Sequence, residues 1–336
     1  TGDAAPAPNI NIVFTPDDES AYGDKLIIES NDPEFPEVEV PIVGRGTLND
    51  CPVAEVVNPE LEVLPLDLIT LDGSPSVDAD GPNGRPVRYA WTVVDRPDGS
   101  TAVPVERFLN PNSPADGGAP DDTSTPTALF FVDLAGEYTL ELHVTDNLDL
   151  TAPSAECAQP DAVVRVHATP NQDIHVQVVW DTPGDPDQTD GEGSDIDMHM
   201  LHPNGRAWMI APLDCYYANV SPDWGPAGPA GNPSLDIDDT NGAGPENINL
   251  EDPENTAALG NPYRVGIHYY RSENFLGGGD WGPSDVTVRI FLAGVQEGDW
   301  TRNMQRRDHF WDVASIIWTP NEKRVQEINR YHTSVP

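Results

Sequence analysis

Gly136-Glu137-Tyr138-Thr139-Leu140-Glu141-Leu142-His143-Val144-Thr145 alternates apolar and polar side chains without a break. A strand sends successive side chains to opposite faces, so Tyr138, Leu140, Leu142 and Val144 share one face while the polar set takes the other. That is a half-buried strand, one sheet face on a core and one in water. The same device recurs along the chain. Ile10, Ile12 and Phe14 form one run, Leu26 and Ile28 another, and Val38, Val40 and Ile42 a third. Ile174 to Trp180, Asp195 to Leu201, Tyr263 to Tyr270, Val286 to Leu292 and Ala314 to Trp318 follow. Between them lie turns built from Pro, Gly, Asn and Asp, such as Ser30-Asn31-Asp32-Pro33 and the hairpin turn His202-Pro203-Asn204-Gly205. The pattern predicts an all-β chain of tandem β-sandwich domains with long acidic loops.

Two of those loops carry the chemistry. In Gly193-Ser194-Asp195-Ile196-Asp197-Met198-His199, alternation projects Asp195 and Asp197 together, away from Ile196 and Met198. Leu235-Asp236-Ile237-Asp238-Asp239-Thr240-Asn241-Gly242 repeats the device with Asp236 and Asp238 and adds Asp239. Carboxylates on one face repel unless a cation sits between them, and an all-oxygen set suits a hard ion such as Ca²⁺. Glu246 and Asn247 follow a Gly-Pro turn and would close the shell; Asp187 and Asp190 are weaker candidates. The alternative is a pair of solvated acidic turns in an acidic protein.

The 336 residues exceed one average domain. Fifty-seven acidic against 17 basic residues give a net charge of −40. Such a surface excludes a duplex nucleic-acid binder and opposes docking on anionic lipid. It favours solubility and divalent-cation binding. No run of about 18 apolar residues predicts a membrane-spanning helix, and no signal peptide is visible. The chain opens at Thr1, as a processed protein or an excised fragment would. Three cysteines, Cys51, Cys157 and Cys215, leave one thiol free or intermolecular.

Three resemblances divide the chain. Ile12-Val13-Phe14-Thr15-Pro16, Leu26 to Pro33 and Val40 to Gly46 resemble the second half of a Hydin-type (ASH) immunoglobulin-like domain, over residues 1–48. Three or four strands cannot bury two faces, so the missing strands were either removed upstream or come from another chain. Asp78-Ala79-Asp80-Gly81, Tyr89-Ala90-Trp91-Thr92-Val93 and the Tyr138 strand ending at Asp146-Asn147 resemble a polycystic-kidney-disease-type (PKD) sandwich, residues 49–169. That resemblance makes Asp78, Asp80 and Asp146 candidate Ca²⁺ ligands, with turn capping as the alternative. The first and last strands of such a sandwich can be neighbours, which pairs Cys51 with Cys157. Residues 170–336 resemble the YfaP-type β-sandwich of bacterial envelope and secreted proteins, on V-W-D, D-x-D-x-H-x-x-x-P-N-G, D-C-Y-Y, L-D-x-D-D-T-x-G-x-G-P-E-N-I and Y-x-V-x-x-H-Y-Y. The tandem is typical of myxobacterial surface proteins.

Catalytic signatures are absent from the sequence: it contains no G-x-S-x-G, H-E-x-x-H or P-loop. His199 and His202 raise a Zn²⁺ reading, but at i and i+3 across a strand end they point to opposite faces. Cys215 has no recognisable activating partner. Trp208, Trp224, Trp281 and Trp300 sit in loop-like contexts, where aromatic platforms could hold sugars; core packing is the competing reading. The expectation is a non-enzymatic extracellular or cell-surface structural and adhesive protein, stabilised by Ca²⁺, able to build a homo-oligomeric fibre by strand exchange. A carbohydrate-binding module, or an accessory region of a larger secreted enzyme, is the alternative. Expected partners are further copies, other surface proteins or a glycan.

Overall fold

The structure, a computed structural model, describes residues 12, 14, 20–46, 49–105, 125–188, 193–224, 228–240, 242–273 and 280–336. Asp190, Ile10 and most of the Pro-rich insertion after Val105 lie outside the described residues. The described chain is a tandem of β-sandwiches preceded by a hairpin.

The hairpin pairs β1 (Ala21–Glu29) with β2 (Glu37–Arg45) along its full length, from Ala21 opposite Arg45 to Glu29 opposite Glu37. Its turn is fastened by Ser30 Oγ accepting from the Asp32 amide and Asp32 Oδ1 accepting from the Glu34 amide. One face leaves Ile28, Val38 and Val40 exposed while Tyr22, Leu26 and Ile42 are half-buried with Phe14 packed on Tyr22, and the other face carries exposed Ile27 and Val43 beside Lys25 and Glu39.

The second unit contains β3 (Glu60–Val63), β4 (Leu68–Asp72), β5 (Arg88–Asp95), β6 (Pro104–Val105), β7 (Thr127–Phe131), β8 (Gly136–Thr145), β9 (Thr151–Ala152) and β10 (Ala162–Ala168). One sheet runs β3-β10-β8-β5 with β9 beside β8, and the facing sheet runs β4-β7-β6. Tyr138, Leu140, Leu142 and Val144 all enter the core with Trp91 and Phe130. The Tyr138 hydroxyl donates to Asp133 Oδ1 at 2.7 Å, and Asp133 Oδ2 accepts from the amides of Thr101 and Ala102. Cys51 and Cys157 are disulfide-bonded, with their Cα atoms 5.5 Å apart.

The third unit contains β11 (Ile174–Asp181), β12 (Gly193–Leu201), β13 (Asp214–Cys215), β14 (Ser234–Ile237), β15 (Glu246–Leu250), the single-turn helix α1 (Thr256–Leu259), β16 (Tyr263–Glu273), β17 (Ser284–Leu292), β18 (Val295–Met304), β19 (Phe310–Trp318) and β20 (Lys323–His332). Its two sheets run β14-β15-β11-β17-β18 and β13-β12-β16-β19-β20. Between them Val176, Val178, Ile196, Met198, Ile248, Val265, Ile267, Val288 and Trp311 form a second, separate core. Strand β12, between β13 and β16, is buried along its whole length. Its core-facing residues are Ile196 and Met198, so Asp195, Asp197 and His199 lie on the sheet's opposite face under a covering loop.

Candidate metal centres

Asp197 comes from β12, Asp238 from the turn after β14, and Glu246 from the start of β15 on the facing sheet. One carboxylate oxygen from each lies within 4.8 Å of the other two. Glu246 is fully buried; its Oε2 accepts from the Met198 amide at 2.7 Å. Glu246 Oε1, Asp197 Oδ2 and Asp195 Oδ1 are buried without a hydrogen-bond partner. Leaving buried carboxylate oxygens unpaired is costly, and a hard cation bridging them removes the cost. The electrostatics agree. Burial, then Asp197, pushes the Asp195 carboxyl up to about 8, although Arg271 Nε lies 3.5 Å from it. Burial, then Asp197, also holds Glu246 well above the usual carboxylate range, against the Met198 amide, and raises Asp238. Asp239 belongs to the same turn, with Oδ2 accepting from the Gly244 amide at 3.1 Å. A Cβ on Gly242 would lie 2.7 Å from that same oxygen.

Two expected ligands lie elsewhere. The pairing of β14 with β15 shifts register between Leu235 and Ile237, so Asp236 is the extra residue of a bulge. Its carboxylate is bonded by Ser234 Oγ and Asn249 Nδ2 instead of sharing a face with Asp238. Asn247 follows Glu246 in a regular strand, so its side chain takes the opposite face, in register with Gln177. Asp187 is exposed, its amide donating to Asp185 Oδ1.

A second acidic centre lies in the PKD-like unit. Asp78 is buried with neither carboxylate oxygen hydrogen-bonded. Burial, then Asp80, raises its carboxyl, and Asp146 adds to the shift. Asp146 Oδ1 accepts from the amides of Leu148 and Leu150, and its Oδ2 accepts from Asn49 Nδ2 at 2.6 Å. Asp80 Oδ2 accepts from the Asp50 amide at 3.1 Å. Asn49 Oδ1, buried and unpartnered, is an oxygen that sequence reading passed over. Its place in the chain, 97 residues before Asp146, carries no local signal.

Two of the four tryptophans are buried rather than offered as a sugar platform. Trp208 and Trp224 are each 5% exposed. Trp208 packs on Phe310 at 4.9 Å, and Trp224 lies on Tyr263 with Nε1 donating to Pro212 O. Turn-rich sequence around them encodes a loop folded down on the sheet, so their rings complete an inner layer. Trp300 packs against the core, and Trp281 is half-buried. The exposed aromatic pair is Tyr217 with Tyr270, ring centres 5.3 Å apart. Cys215 is buried and burial pushes its thiol up, which makes it a packing residue.

No family model matches the chain, and no curated protein matches it. Solved structures give weak likenesses. The PKD domain from KIAA 1837 protein is 24% identical, covering 37% of this chain and 93% of that one at a TM-score of 0.23. A nucleoside hydrolase-related hypothetical protein from Saccharophagus degradans, associated with carbohydrate metabolism, is 20% identical over 36% of this chain at a TM-score of 0.25; the match spans 26% of that protein. FdeC, an Escherichia coli adhesin, is 12% identical, covering 85% of this chain and 74% of that one at a TM-score of 0.20.

Proposed function

We propose that this chain is a non-enzymatic extracellular or cell-surface adhesive protein whose loops are set by Ca²⁺. The observation that carries the reading is the convergence of Asp197, Asp238 and Glu246 from three chain segments, with buried oxygens left unpaired. Ca²⁺ there would neutralise the carboxylates and tie β12 to β15 across the sandwich edge. A thermal melt in Ca²⁺ against excess EGTA, with bound-metal analysis, tests it. A ligand bound only by the folded state adds about 2.7 kcal/mol at a hundredfold excess over its dissociation constant. Glu246→Gln sharpens the test, because the amide keeps an acceptor for the Met198 amide and deletes the charge. It should raise the melting temperature in EGTA and erase most of the gain from Ca²⁺. A wild-type melt indifferent to Ca²⁺, with no metal bound, ends the proposal.

The hairpin supports a second reading. Ile28, Val38 and Val40 are exposed on one face of the hairpin, and among the described residues no third strand pairs with β1 or β2, so this sheet can accept further strands. In this reading a second copy supplies them, and the repeated contact builds a filament. Sedimentation in Ca²⁺ should show concentration-dependent assembly that Val40→Asp abolishes; a monomer at all concentrations removes the idea. Glycan binding falls behind both, because Trp208 and Trp224 are occupied with core packing.

A further inference from the structure

On the face of the second sheet opposite the core, β12 and β16 place Asp197 directly across from His268, and His199 across from Gly266. Asp197 and His199 are two apart on one strand and therefore share that face. One ligand atom from each of Asp197, His199 and His268 lies within 4.8 Å of the other two, and all three residues are buried. His199 Nδ1 lies 2.8 Å from Asp214 Oδ2, an oxygen that also accepts from the Met209 amide. The other nitrogen, Nε2, is buried with no hydrogen-bond partner. His268 Nδ1 and Asp197 Oδ2 are likewise unpartnered, 3.6 Å apart. These ligand atoms are buried and converge on one place on the sheet. The rings of Trp208, Phe310 and Tyr216 enclose His199.

We infer that Asp197, His199 and His268 form a site for a divalent transition metal of the Zn²⁺ class, with Asp214 holding the His199 ring. Two imidazoles and one carboxylate suit a borderline ion, where the all-oxygen set beside it suits a hard one. The pairing of His199 Nδ1 with Asp214 is the arrangement metal-bound histidines adopt, since a carboxylate on one ring nitrogen presents the lone pair of the other to the metal. Three protein ligands leave a fourth position for water or for a partner's side chain. The local packing protects the geometry. Tyr216 stacks on His199 with ring centres 5.1 Å apart, and a Cβ on Gly266 would come within 2.4 Å of Phe310, so that position has no room for a side chain. Asp197 is common to this site and to the oxygen cluster with Asp238 and Glu246, which makes it the bridge between a nitrogen-rich and an oxygen-only pole.

Co²⁺ titration of the full chain, with Ca²⁺ in excess to fill the oxygen cluster, reads the site directly. The expected result is one equivalent of Co²⁺ with the intense visible absorption of four-coordinate cobalt, displaced by one equivalent of Zn²⁺. His268→Ala should lose that spectrum, Asp214→Asn should weaken binding about ten- to a hundredfold, and Asp238→Asn should leave the spectrum unchanged. A pale, six-coordinate cobalt spectrum in the wild-type protein, or no uptake, overturns the inference. Should His268→Ala fail to fold, the wild-type spectrum and its Zn²⁺ displacement decide alone. The Ca²⁺ reading is judged separately by adding Ca²⁺ alone back to metal-free protein and reading the melting temperature, because Ca²⁺ neither colours nor fills the histidine site.

Discussion

At the scale of single residues, the acidic centres are places where the fold holds carboxylates against their ionisation. Asp195, Asp238 and Glu246 all have carboxyls raised by burial first and by Asp197 next. A carboxyl whose folded pKa exceeds its unfolded value favours folding while it is protonated, and the folded state loses stability as pH climbs between the two values. For Asp195 that window runs from about 3.9 in the unfolded chain to about 8 in the folded one. In EGTA, the urea midpoint of the third unit should therefore fall as pH rises through that window. Saturating Ca²⁺ should flatten or invert the slope, because the metal binds the deprotonated forms. A midpoint in EGTA that rises steadily with pH would show that these carboxylates are paired by some cation of the protein itself. Gly81 makes the companion case in the PKD-like unit. A Cβ there would lie 2.0 Å from Asp78 Oδ2 and 2.6 Å from Arg85 O. Gly81→Ala should displace the Asp78 carboxylate and lower the melting temperature of the second unit, measurable by calorimetry, while leaving the third unit's transition in place.

At the scale of elements, what could be read from the sequence was whatever depends on the period of a strand. Tyr138, Leu140, Leu142 and Val144 enter the core as their alternation requires, and Ile196 and Met198 do the same on β12. Alternation also puts Asp195 and Asp197 opposite those core residues, in the region where Glu246 arrives. The same rule failed at Asp236, where a bulge breaks the period inside a four-residue strand. Bulges depend on how two strands meet, and one strand's sequence does not contain that. At the histidines the rule held for His199 and His202, which part as expected, but it said nothing of His268. His202, three residues from His199 in the chain, packs under Trp224 and bonds Glu254, whereas His268 reaches Asp197 because β16 runs antiparallel to β12 in a register the sequence does not state. Trp208 and Trp224 stayed open between platform and core for a related reason. Gly and Pro mark a turn but are silent on whether the turn stands in water or folds back on a sheet.

At the scale of the molecule, the units meet through polar contacts at the face of β11 and β17. The Ala135 amide donates to Gln177 Oε1 at 2.9 Å, and Arg289 Nη2 donates to Asp98 O at 2.8 Å. Gly99 has a φ of +83° and would place a Cβ 2.7 Å from Val179 Cγ2, so backbone meets side chain there with no slack. A joint made of such polar contacts, without a large apolar interface, leaves relative motion of the units as the default, so what coupling exists rests on these few contacts. A net charge of −40 works against it, since like-charged units repel across any seam. The two effects give opposite salt responses that the joint lets one separate. Gly99→Val adds both the strain of a positive φ and a clash with Val179. It should split the calorimetric unfolding of the second and third units into two transitions, with the gap widening at low ionic strength, where repulsion is least screened. Each unit keeps its own core, so the separate transitions should retain most of their wild-type enthalpy. If Gly99→Val unfolds as one transition at the wild-type temperature, the contacts at Gln177 and Arg289 couple nothing, and any stiffness between the units must come from the short Thr169-Pro170 connection instead.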